Sequence, residues 1–253
     1  MNIYSINNSQ YNQPTFGAWR RKVLDKRKVH IIGEKPLHMN NTYFFRLPRF
    51  WDSMLPFVIN KYKDESKVNV YNYACSDGSE ALSLLMALKS KFSDIAKKFF
   101  PILAVDYDEV AIAKAKRRVY EIGYIERDEI NKHTDNGFNK YFTKINKNIR
   151  TDKNYIFSAE HCDDIKFEVA NVLKNYKKIK SQNSLVMARN FWPYLSDADK
   201  VKLAEGLSDR MRKKCTLVIG EFDLENRWSK LDITKILTNA GFKQTDSNLI
   251  FEK

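Results

Sequence analysis

Residues Val68–Phe92, VNVYNYACSDGSEALSLLMALKSKF, carry the pattern from which the fold class follows. Val68–Ala74 is rich in β-branched and aromatic residues, which is typical of a strand, and Glu80–Phe92 carries apolar residues at helical spacing. Between them lies a short turn of small residues around Gly78, where the backbone can approach a ligand closely. The stretch therefore predicts a strand–turn–helix unit with a candidate ligand site at the turn.

The alternation of strand and helix continues outward from this unit. A second strand is predicted at Pro101–Asp108 and a helix at Glu109–Glu121. Further strands are predicted at Ile165–Ala170, Ser184–Asn190, Cys215–Phe222 and Asn248–Glu252, and further helices at Asp197–Met211 and Leu231–Ala240. Strands that alternate with helices of this length indicate an α/β fold whose doubly wound sheet is mainly parallel and covered on both faces.

Three segments fall outside this alternation. We expect residues 17–35 to form a short basic helix, and the aromatic-rich segment 41–63 to pack as helices against the main domain. The polar stretch 123–164 is too long for a simple connection and predicts a small inserted subdomain. The predicted division is a basic, helical segment over 1–62 and a main domain over 63–253.

The charge of the chain predicts an acidic partner. The formal net charge is +13, from 44 Lys and Arg against 31 Asp and Glu, and part of the excess is clustered at residues 20–28. A nucleic acid, an anionic surface and an acidic protein all stay open, as does a basic surface that only meets solvent. The N-terminus lacks a secretion signal and no window is apolar enough to span a membrane, so we expect a cytoplasmic protein without membrane insertion.

Neither a disulfide framework nor a metal site is expected. Cys75, Cys162 and Cys215 are widely spaced and form no CxxC pair. The run His161–Asp164 resembles a ligand cluster, but adjacent residues rarely converge on one ion without a second ligand pair.

The turn at Gly78 differs from the loops that bind dinucleotides and nucleoside triphosphates. It lacks GxGxxG, and it lacks the Lys-Ser/Thr pair that binds phosphates. Ligands in open α/β sheets lie beyond the carboxyl ends of the strands, and Asp106 ends the second strand. An acid there can accept hydrogen bonds from ribose hydroxyls, although Asp106 or Asp108 could instead cap the next helix.

Five blocks of sequence occur in an order that resembles one family. Asn40–Arg46 (NNTYFFR) precedes the sheet, Asn171–Leu173 (NVL) follows a predicted strand, and Arg189–Leu195 (RNFWPYL) follows the next strand. With ACSDGSEALSLLMAL and AVDYD, these blocks resemble the chemotaxis receptor methyltransferase family. Its members show N-x-T-x-F-F-R, A-C-S-x-G-x-E, x-x-D-x-D, N-L-L and R-N-x-x-x-Y-F in this order. The resemblance covers about residues 38–253.

The resemblance implies a cofactor, S-adenosylmethionine, and a pocket for it. Glu80 matches the acid that holds the methionine amino group, and Asp106 matches the ribose ligand. Asn171 and Val172 would flank the adenine. The complete set that the resemblance assigns to the cofactor is Asn40, Thr42, Arg46, Glu80, Asp106, Asn171, Val172, Arg189 and Asn190.

The resemblance also implies the chemistry, which is methyl transfer to a glutamate of an acidic, helical, chemoreceptor-like protein. Arg46 would hold the attacking carboxylate, and Tyr194 would direct it. The chain departs from the family at Ala81, where members carry proline, and at Glu221–Asp223, where members carry H-S-E. The segment before Asn40 is shorter than the family's N-terminal helical domain, which places the identity of the substrate in question.

Two other classes of function stay open. The same cofactor could serve a nucleic acid or a small molecule, although the chain lacks the N-P-P-Y or D-P-P-Y pattern of amino-methylating enzymes, and Phe191–Tyr194 (FWPY) comes nearest. A non-catalytic module that only binds the cofactor or an acidic helix is the third class, and the retained pocket residues argue against it.

Overall fold

The computed structural model describes residues 31–32, 35–36, 42–145, 150–151, 154–225 and 231–253. Asn40 and the basic cluster at 20–28 lie outside these residues. The chain divides into two compact units, one ending at Asn41 and one spanning Thr42–Lys253.

The first unit corrects the helix that was predicted over residues 17–35. Ile31–Ile32 (β1) pairs antiparallel with Lys35–Pro36 (β2), so a helix cannot continue to residue 35. Two adjacent isoleucines favour a strand, and Pro36 cannot donate the hydrogen bond that a helix interior requires.

The second unit holds most of the regular structure. Its strands are, in chain order, Asn69–Tyr73 (β3), Ile102–Asp106 (β4), Val119–Ile122 (β5), Phe142–Lys144 (β6), Arg150–Thr151 (β7), Asn154–Ala159 (β8), Ile165–Val169 (β9), Ser184–Ala188 (β10), Thr216–Val218 (β11), Lys243–Gln244 (β12) and Ile250–Glu252 (β13). Its helices are Pro48–Lys61 (α1), Ser79–Lys91 (α2), Ser93–Ala96 (α3), Glu109–Arg117 (α4), Tyr124–His133 (α5), Phe138–Tyr141 (α6), Val172–Asn175 (α7), Asp197–Arg210 (α8) and Ile233–Asn239 (α9). No helix among the described residues is long and apolar enough to cross a membrane.

The main sheet has seven strands in the order β12-β13-β11-β10-β3-β4-β9. Five consecutive strands, from β11 to the edge strand β9, run parallel, and β13 runs antiparallel to both of its neighbours. The strand order reverses between β3 and β10, which is where ligands bind in open α/β sheets. The predicted α/β class with a mainly parallel sheet is confirmed.

The aromatic segment before the sheet forms one helix, α1, where several helices were predicted. The helix begins at Pro48, a residue suited to the first helical position, and buries one face formed by Phe50, Trp51, Met54, Leu55 and Val58. Its last turn is anchored by the buried Tyr62, whose hydroxyl lies 2.8 Å from the Ser184 carbonyl oxygen on β10. The anchor binds the segment that precedes the sheet to the centre of the sheet.

A second, four-stranded antiparallel sheet forms where the insert was predicted. It pairs β5, β8 and β6 in this order, with β7 also paired to β8, and it begins at Val119. The helix predicted over Glu109–Glu121 is therefore wrong at its end, because α4 stops at Arg117. Arg118 adopts a left-handed conformation (φ 55°) that ends the helix, and the alternating VYEI sequence then favours a strand.

Candidate functional site

The candidate site lies at the carboxyl edge of the parallel strands, where several loops have strained backbone. Ala74, Ser76 and Asn190 all have a positive φ, between 51° and 63°, although none is glycine. Such conformations cost about 1–3 kcal/mol each and cluster at functional sites, since the surrounding structure must hold them in place. These residues follow β3 and β10, the two strands at the reversal of strand order.

Gly78 permits the tight turn from β3 into α2. Its φ is +83°, and a Cβ atom there would lie 2.8 Å from the Phe167 ring and 3.1 Å from the Ala115 side chain. Any other residue would therefore be both strained and crowded. The predicted ligand turn, which follows β3, is thus held close to Phe167 on β9, the strand on the far side of β4.

Asp106 is buried at the end of β4 and links two of the loops. Its carboxylate accepts hydrogen bonds from the Ser76 backbone N–H at 2.8 Å and from the Asp108 backbone N–H at 2.9 Å. The capping role falls instead to Asp108, which accepts from the backbone N–H groups of Val110 and Ala111 at the start of α4. The two acids of the AVDYD block therefore have different structural tasks.

Three carboxylates lie close enough to the Cys75 thiol in the turn to affect its pKa. Burial raises the pKa of Cys75, and the negative charges of Asp106, Asp77 and Glu80 raise it further. The residues predicted for the ribose and for the methionine amino group therefore lie in one neighbourhood.

Arg189 connects the first turn to the loop after β10. Its guanidinium donates to the Glu80 carboxylate at 2.7 Å, and the Asn72 amide donates to the other Glu80 oxygen at 2.8 Å. Phe50 of α1 covers the guanidinium, with 4.0 Å between Cζ and the ring centroid. Burial lowers the pKa of Arg189, the negative charge of Glu80 opposes this effect, and the positive charge of Arg46 adds to it.

Arg189 also has two buried donors without a hydrogen-bond partner, Nε and Nη2. The side chain is completely buried, so solvent does not satisfy these groups. A buried charge of this kind is stable only because the ion pair with Glu80 and the aromatic stack hold it.

The described part of the NNTYFFR block, residues 42–46, is anchored by its two phenylalanines. Phe44 and Phe45 are buried, while Arg46 on their C-terminal side is half-buried. The Phe45 backbone N–H donates to Ser83 Oγ of α2 at 2.9 Å, and the Phe45 ring stacks on His133 of α5 with 4.6 Å between centroids. The loop that carries Arg46 is therefore held between α2 and the insert.

Asp223 is a residue of the site that sequence reasoning missed. It is buried, and it accepts backbone hydrogen bonds from Asn190 and Gly220 at 2.7 Å and from Trp192 at 3.1 Å. Burial raises the pKa of Asp223 to about 7, even though these three donors favour the ionised form. The sequence signal for Asp223 was its position in Glu221–Asp223, the segment where family members carry H-S-E.

Gly220 is a second missed residue. A methyl group at this position would overlap the Asn190 side chain, whose Oδ1 accepts from the Phe222 backbone N–H at 3.4 Å. The loops after β10 and β11 thus fit together through Asn190, Gly220 and Asp223. Gly220 lies in the loop after β11, whereas the predicted strand Cys215–Phe222 included it, and a lone glycine in that prediction gave no signal of this contact.

The remaining predicted residues have varied positions. Tyr194 is half-buried, with its ring 5.9 Å from that of Phe222, and Thr42 is half-buried at the start of the described NNTYFFR residues. Asn171 is exposed and caps α7, accepting from the Leu173 backbone N–H at 2.8 Å, and Val172 is half-buried beside it. The adenine and acceptor roles of these residues stay predictions.

Tyr107 is a further side chain that sequence reasoning passed over at this edge. It directly follows Asp106 and is 55% exposed, and the exposed Val169 is the sheet partner of Asp106. Both exposed side chains therefore belong to residues adjacent to the acid, one in the chain and one in the sheet.

The residues of this edge fit S-adenosylmethionine. The neighbouring carboxylates of Asp106 and Glu80 suit ribose hydroxyls and a cationic amino acid moiety, and Tyr107 and Val169 suit an adenine ring. In the part of the chain that the structure describes, no three His, Cys, Asp or Glu side chains are grouped as a metal site would require.

Comparisons with known proteins identify the family of the chain. Residues 40–234 match the family model described as the CheR methyltransferase SAM binding domain. Chemotaxis protein methyltransferase 2 of Vibrio cholerae is 21% identical over 200 residues, which cover 77% of this chain and 66% of that protein. A chemotaxis protein methyltransferase of Listeria monocytogenes is 23% identical over 211 residues, covering 81% of this chain and 73% of that protein.

Among solved structures, magnesium protoporphyrin IX methyltransferase from Synechocystis, with bound SAM, is similar to 80% of this chain. The match covers 76% of that chain at 13% identity, with a TM-score of 0.43. The chain spans slightly less than two thirds of the Vibrio relative. Since the family model covers most of its length, the chain belongs to the CheR methyltransferase family, and its cofactor is S-adenosylmethionine.

Proposed function

We propose that this protein transfers a methyl group from S-adenosylmethionine to a glutamate carboxylate of an acidic, helical, chemoreceptor-like protein in the cytoplasm. The observation that carries the proposal is the contact set of Arg189, which joins the Glu80 turn, α1 and the loop that bears Tyr194. Separate motif blocks of one methyltransferase family thereby meet at one edge of the sheet. The names of the Vibrio and Listeria relatives support chemotaxis as the setting.

The chemistry requires positioning more than proton transfer. An acceptor glutamate has an ordinary pKa of about 4.3 and is ionised at neutral pH, so its oxygen can attack without a general base. Bound S-adenosylmethionine supplies a methyl group on a positively charged sulfur, which becomes neutral when the carbon–sulfur bond breaks and the carbon–oxygen bond forms. Proximity and orientation alone can lower such a barrier by several kcal/mol.

Each proposed residue has one task in this scheme. Asp106 binds the ribose hydroxyls, and Glu80, held by Arg189, faces the methionine amino group. Arg46 pairs with the acceptor carboxylate and orients it, and Tyr194 directs the attacking oxygen by a hydrogen bond. The aromatic anchor at Phe44 and Phe45 supports the proposal for Arg46, because it holds the backbone beside it.

Nucleic acid is the alternative acceptor, and the net charge of +13 favours it. The distribution of charge does not, since the described loops that follow the parallel strands carry six acids (Asp77, Asp108, Glu221, Asp223, Glu225 and Asp232) and one base (Arg189). This acidic rim repels a nucleic acid and an acidic protein alike, so the charge of the rim does not choose between the two acceptors.

The test is incubation of the full chain with methyl-labelled S-adenosylmethionine and a cytoplasmic lysate. We expect label on protein that mild base releases as methanol, which identifies a carboxyl methyl ester. An Asp106→Asn variant, run in parallel, should give little label. Nuclease-sensitive label would transfer the proposal to nucleic acid, and base-stable label on protein would exclude a carboxylate acceptor.

A further inference from the structure

The amino edge of the main sheet, opposite the candidate site, carries a concentrated positive charge. Four loops enter the parallel strands β3, β4, β10 and β11 from this edge, at residues 62–68, 97–101, 176–183 and 211–215. They contain two acids, Asp64 and Glu65, and ten bases: Lys63, Lys67, Lys97, Lys98, Lys177, Lys178, Lys180, Arg212, Lys213 and Lys214. We name these four loops the basic collar.

The loops of the collar contact one another, so their charges form one surface. The Lys98 ammonium donates to the Lys63 carbonyl at 2.8 Å, which joins the first two loops. The Asn69 backbone N–H donates to the Asn183 carbonyl at 2.8 Å, and the Asn183 backbone N–H donates to the Lys213 carbonyl at 3.1 Å. Since β11, β10, β3 and β4 are neighbours in the sheet, the collar spans roughly 15–20 Å at the usual strand spacing.

Most of this charge faces solvent. All of the collar bases are exposed except Lys98 and Lys214, which are half-buried. Glu65 is engaged by Lys214 at 2.6 Å, which leaves Asp64 as the exposed acid of the collar. The loop into the fifth parallel strand, β9, is different, because Asp163 and Asp164 there pair with Arg118 and Lys89.

The composition of the collar indicates which polyanion it suits. Nine of its ten bases are lysines, which act as mobile point charges, whereas bidentate recognition of phosphates in nucleic acids favours arginine. Within the four described loops no large hydrophobic side chain is exposed. The surface therefore offers no platform for stacked bases and no apolar centre for a protein interface.

We propose that the basic collar is an electrostatic docking surface for an anionic lipid bilayer. A bilayer is a flat, extended anion that requires neither stacking nor shape complementarity, and each lysine near it contributes about 1 kcal/mol. The acidic rim at the other edge of the sheet would be repelled by the same surface. The protein thus docks with its strands pointing away from the lipid and with the methyl-transfer site open to a protein substrate.

The experiment measures binding of the full chain to vesicles by co-sedimentation. Vesicles of phosphatidylcholine with about 30% phosphatidylglycerol are compared with vesicles of pure phosphatidylcholine. The test variant is Lys97→Gln, Lys180→Gln, Lys213→Gln, which removes one exposed charge from each of three loops. The matched control is Lys140→Gln, Lys202→Gln, Lys235→Gln, which removes the same charge from exposed lysines on α6, α8 and α9.

We expect binding to the anionic vesicles only, weakened on the order of 100-fold in the collar variant and several-fold at most in the control. Cofactor affinity and melting temperature should be unchanged in both variants. A change in either quantity would reveal a folding defect. Equal losses in the two variants would attribute binding to net charge and overturn the proposal. Binding to pure phosphatidylcholine, or a preference for a 20-base-pair DNA duplex at equal charge concentration, would overturn it as well.

Discussion

At the scale of single residues, Arg189 was predicted to line the cofactor pocket, and in the structure its side chain is buried and paired with Glu80. Removal of Glu80 would leave the Arg189 charge uncompensated in the interior, which typically costs about 3–5 kcal/mol of folding stability. Glu80 therefore has a structural task in addition to its proposed cofactor role, because it is the ion-pair partner of Arg189 at 2.7 Å. Substitution of Glu80 cannot separate the two tasks, and cleaner tests lie elsewhere.

Asp106 can be tested against its neighbour when the melting temperature is measured as well, because its carboxylate also accepts the Ser76 and Asp108 backbone N–H groups. We predict that Asp106→Asn weakens S-adenosylmethionine binding by roughly 10- to 100-fold, since a hydrogen bond to a charged acceptor contributes about 1.5–3 kcal/mol. Asp108→Asn is the matched control, because asparagine caps a helix as well as aspartate does and α4 should persist. Calorimetry measures the S-adenosylmethionine affinity of both variants. Equal affinities for the two would remove Asp106 from the ribose site.

Tyr194 tests the acceptor side of the site. If its hydroxyl directs the substrate, Tyr194→Phe should lower kcat for methyl transfer at least ten-fold while cofactor affinity stays nearly constant. Tyr176→Phe, at another half-buried tyrosine, should change neither quantity. A parallel loss of binding and turnover in Tyr194→Phe would instead assign the residue to the cofactor or to packing.

At the scale of elements, the loops after β10 and β11 act as one unit. The conformation of each loop depends on the other loop, because their residues pack against each other. Asn190 occupies the room above Gly220, and Asp223 accepts the backbone N–H groups of both loops.

The contact between these loops predicts a rescue experiment. Gly220→Ala should destabilise the protein by about 1–3 kcal/mol, because its methyl group overlaps the Asn190 side chain. Asn190→Gly removes that side chain and tolerates the positive φ of 63°, so the double variant should regain most of the lost stability. Denaturant unfolding of the four proteins measures the coupling. Additive losses would show that the two residues do not oppose each other.

Asp223 predicts a pH dependence of stability within the same unit. Its pKa is about 7 in the folded protein, against an ordinary 3.8, so the folded state retains a proton that the unfolded state releases between these values. The stability that this proton contributes is complete below about pH 4 and is lost as the pH rises through about 7.

Comparison of two variants isolates that contribution. Asp223→Asn should lower stability overall but remove this decline from unfolding free energies measured between about pH 5 and 8. Glu225→Gln, at an exposed acid of the same segment, should leave the decline in place. An unchanged pH profile in Asp223→Asn would contradict the raised pKa.

The end of α4 shows why the sequence predicted this helix too long. Local helix propensity extends through Lys114–Arg118, and the sequence alone therefore favoured a helix to Glu121. The strand forms there because Val119–Ile122 finds a partner in Tyr155–Ser158, about 35 residues further along the chain. Pairing over such a distance leaves no signal in a local window.

At the scale of the whole molecule, charge is separated along the strand direction. The basic collar lies at one edge of the sheet and the acidic rim at the other. An acidic substrate that approaches the rim meets repulsion, so the basic residues at 20–28 are the source of attraction that we propose for it.

This separation predicts the effect of charge and salt on the substrate. Reversal of Arg20, Arg21 and Lys22 to Glu should raise KM for an acidic helical peptide several-fold at low salt, with little change in cofactor affinity. Added salt should raise KM of the wild type and lower KM of the variant, because screening acts over about 10 Å at 0.1 M. The control reverses Lys140, Lys202 and Lys235 to Glu. A KM that changes neither with salt nor with charge reversal at 20–28 would show that this segment does not contact the substrate.

The α/β class and the strand–turn–helix unit at Gly78 could be predicted from the amino-acid sequence, because they depend on local periodicity. The family and the cofactor followed from the resemblance of five short motif blocks. The folded structure was needed to show that Arg189 is a buried partner of Glu80, that Asp223 and Gly220 contact Asn190, and that ten bases share one edge of the sheet. Each of these joins residues far apart in sequence, and the sheet order that brings them together arises from long-range burial and strand pairing.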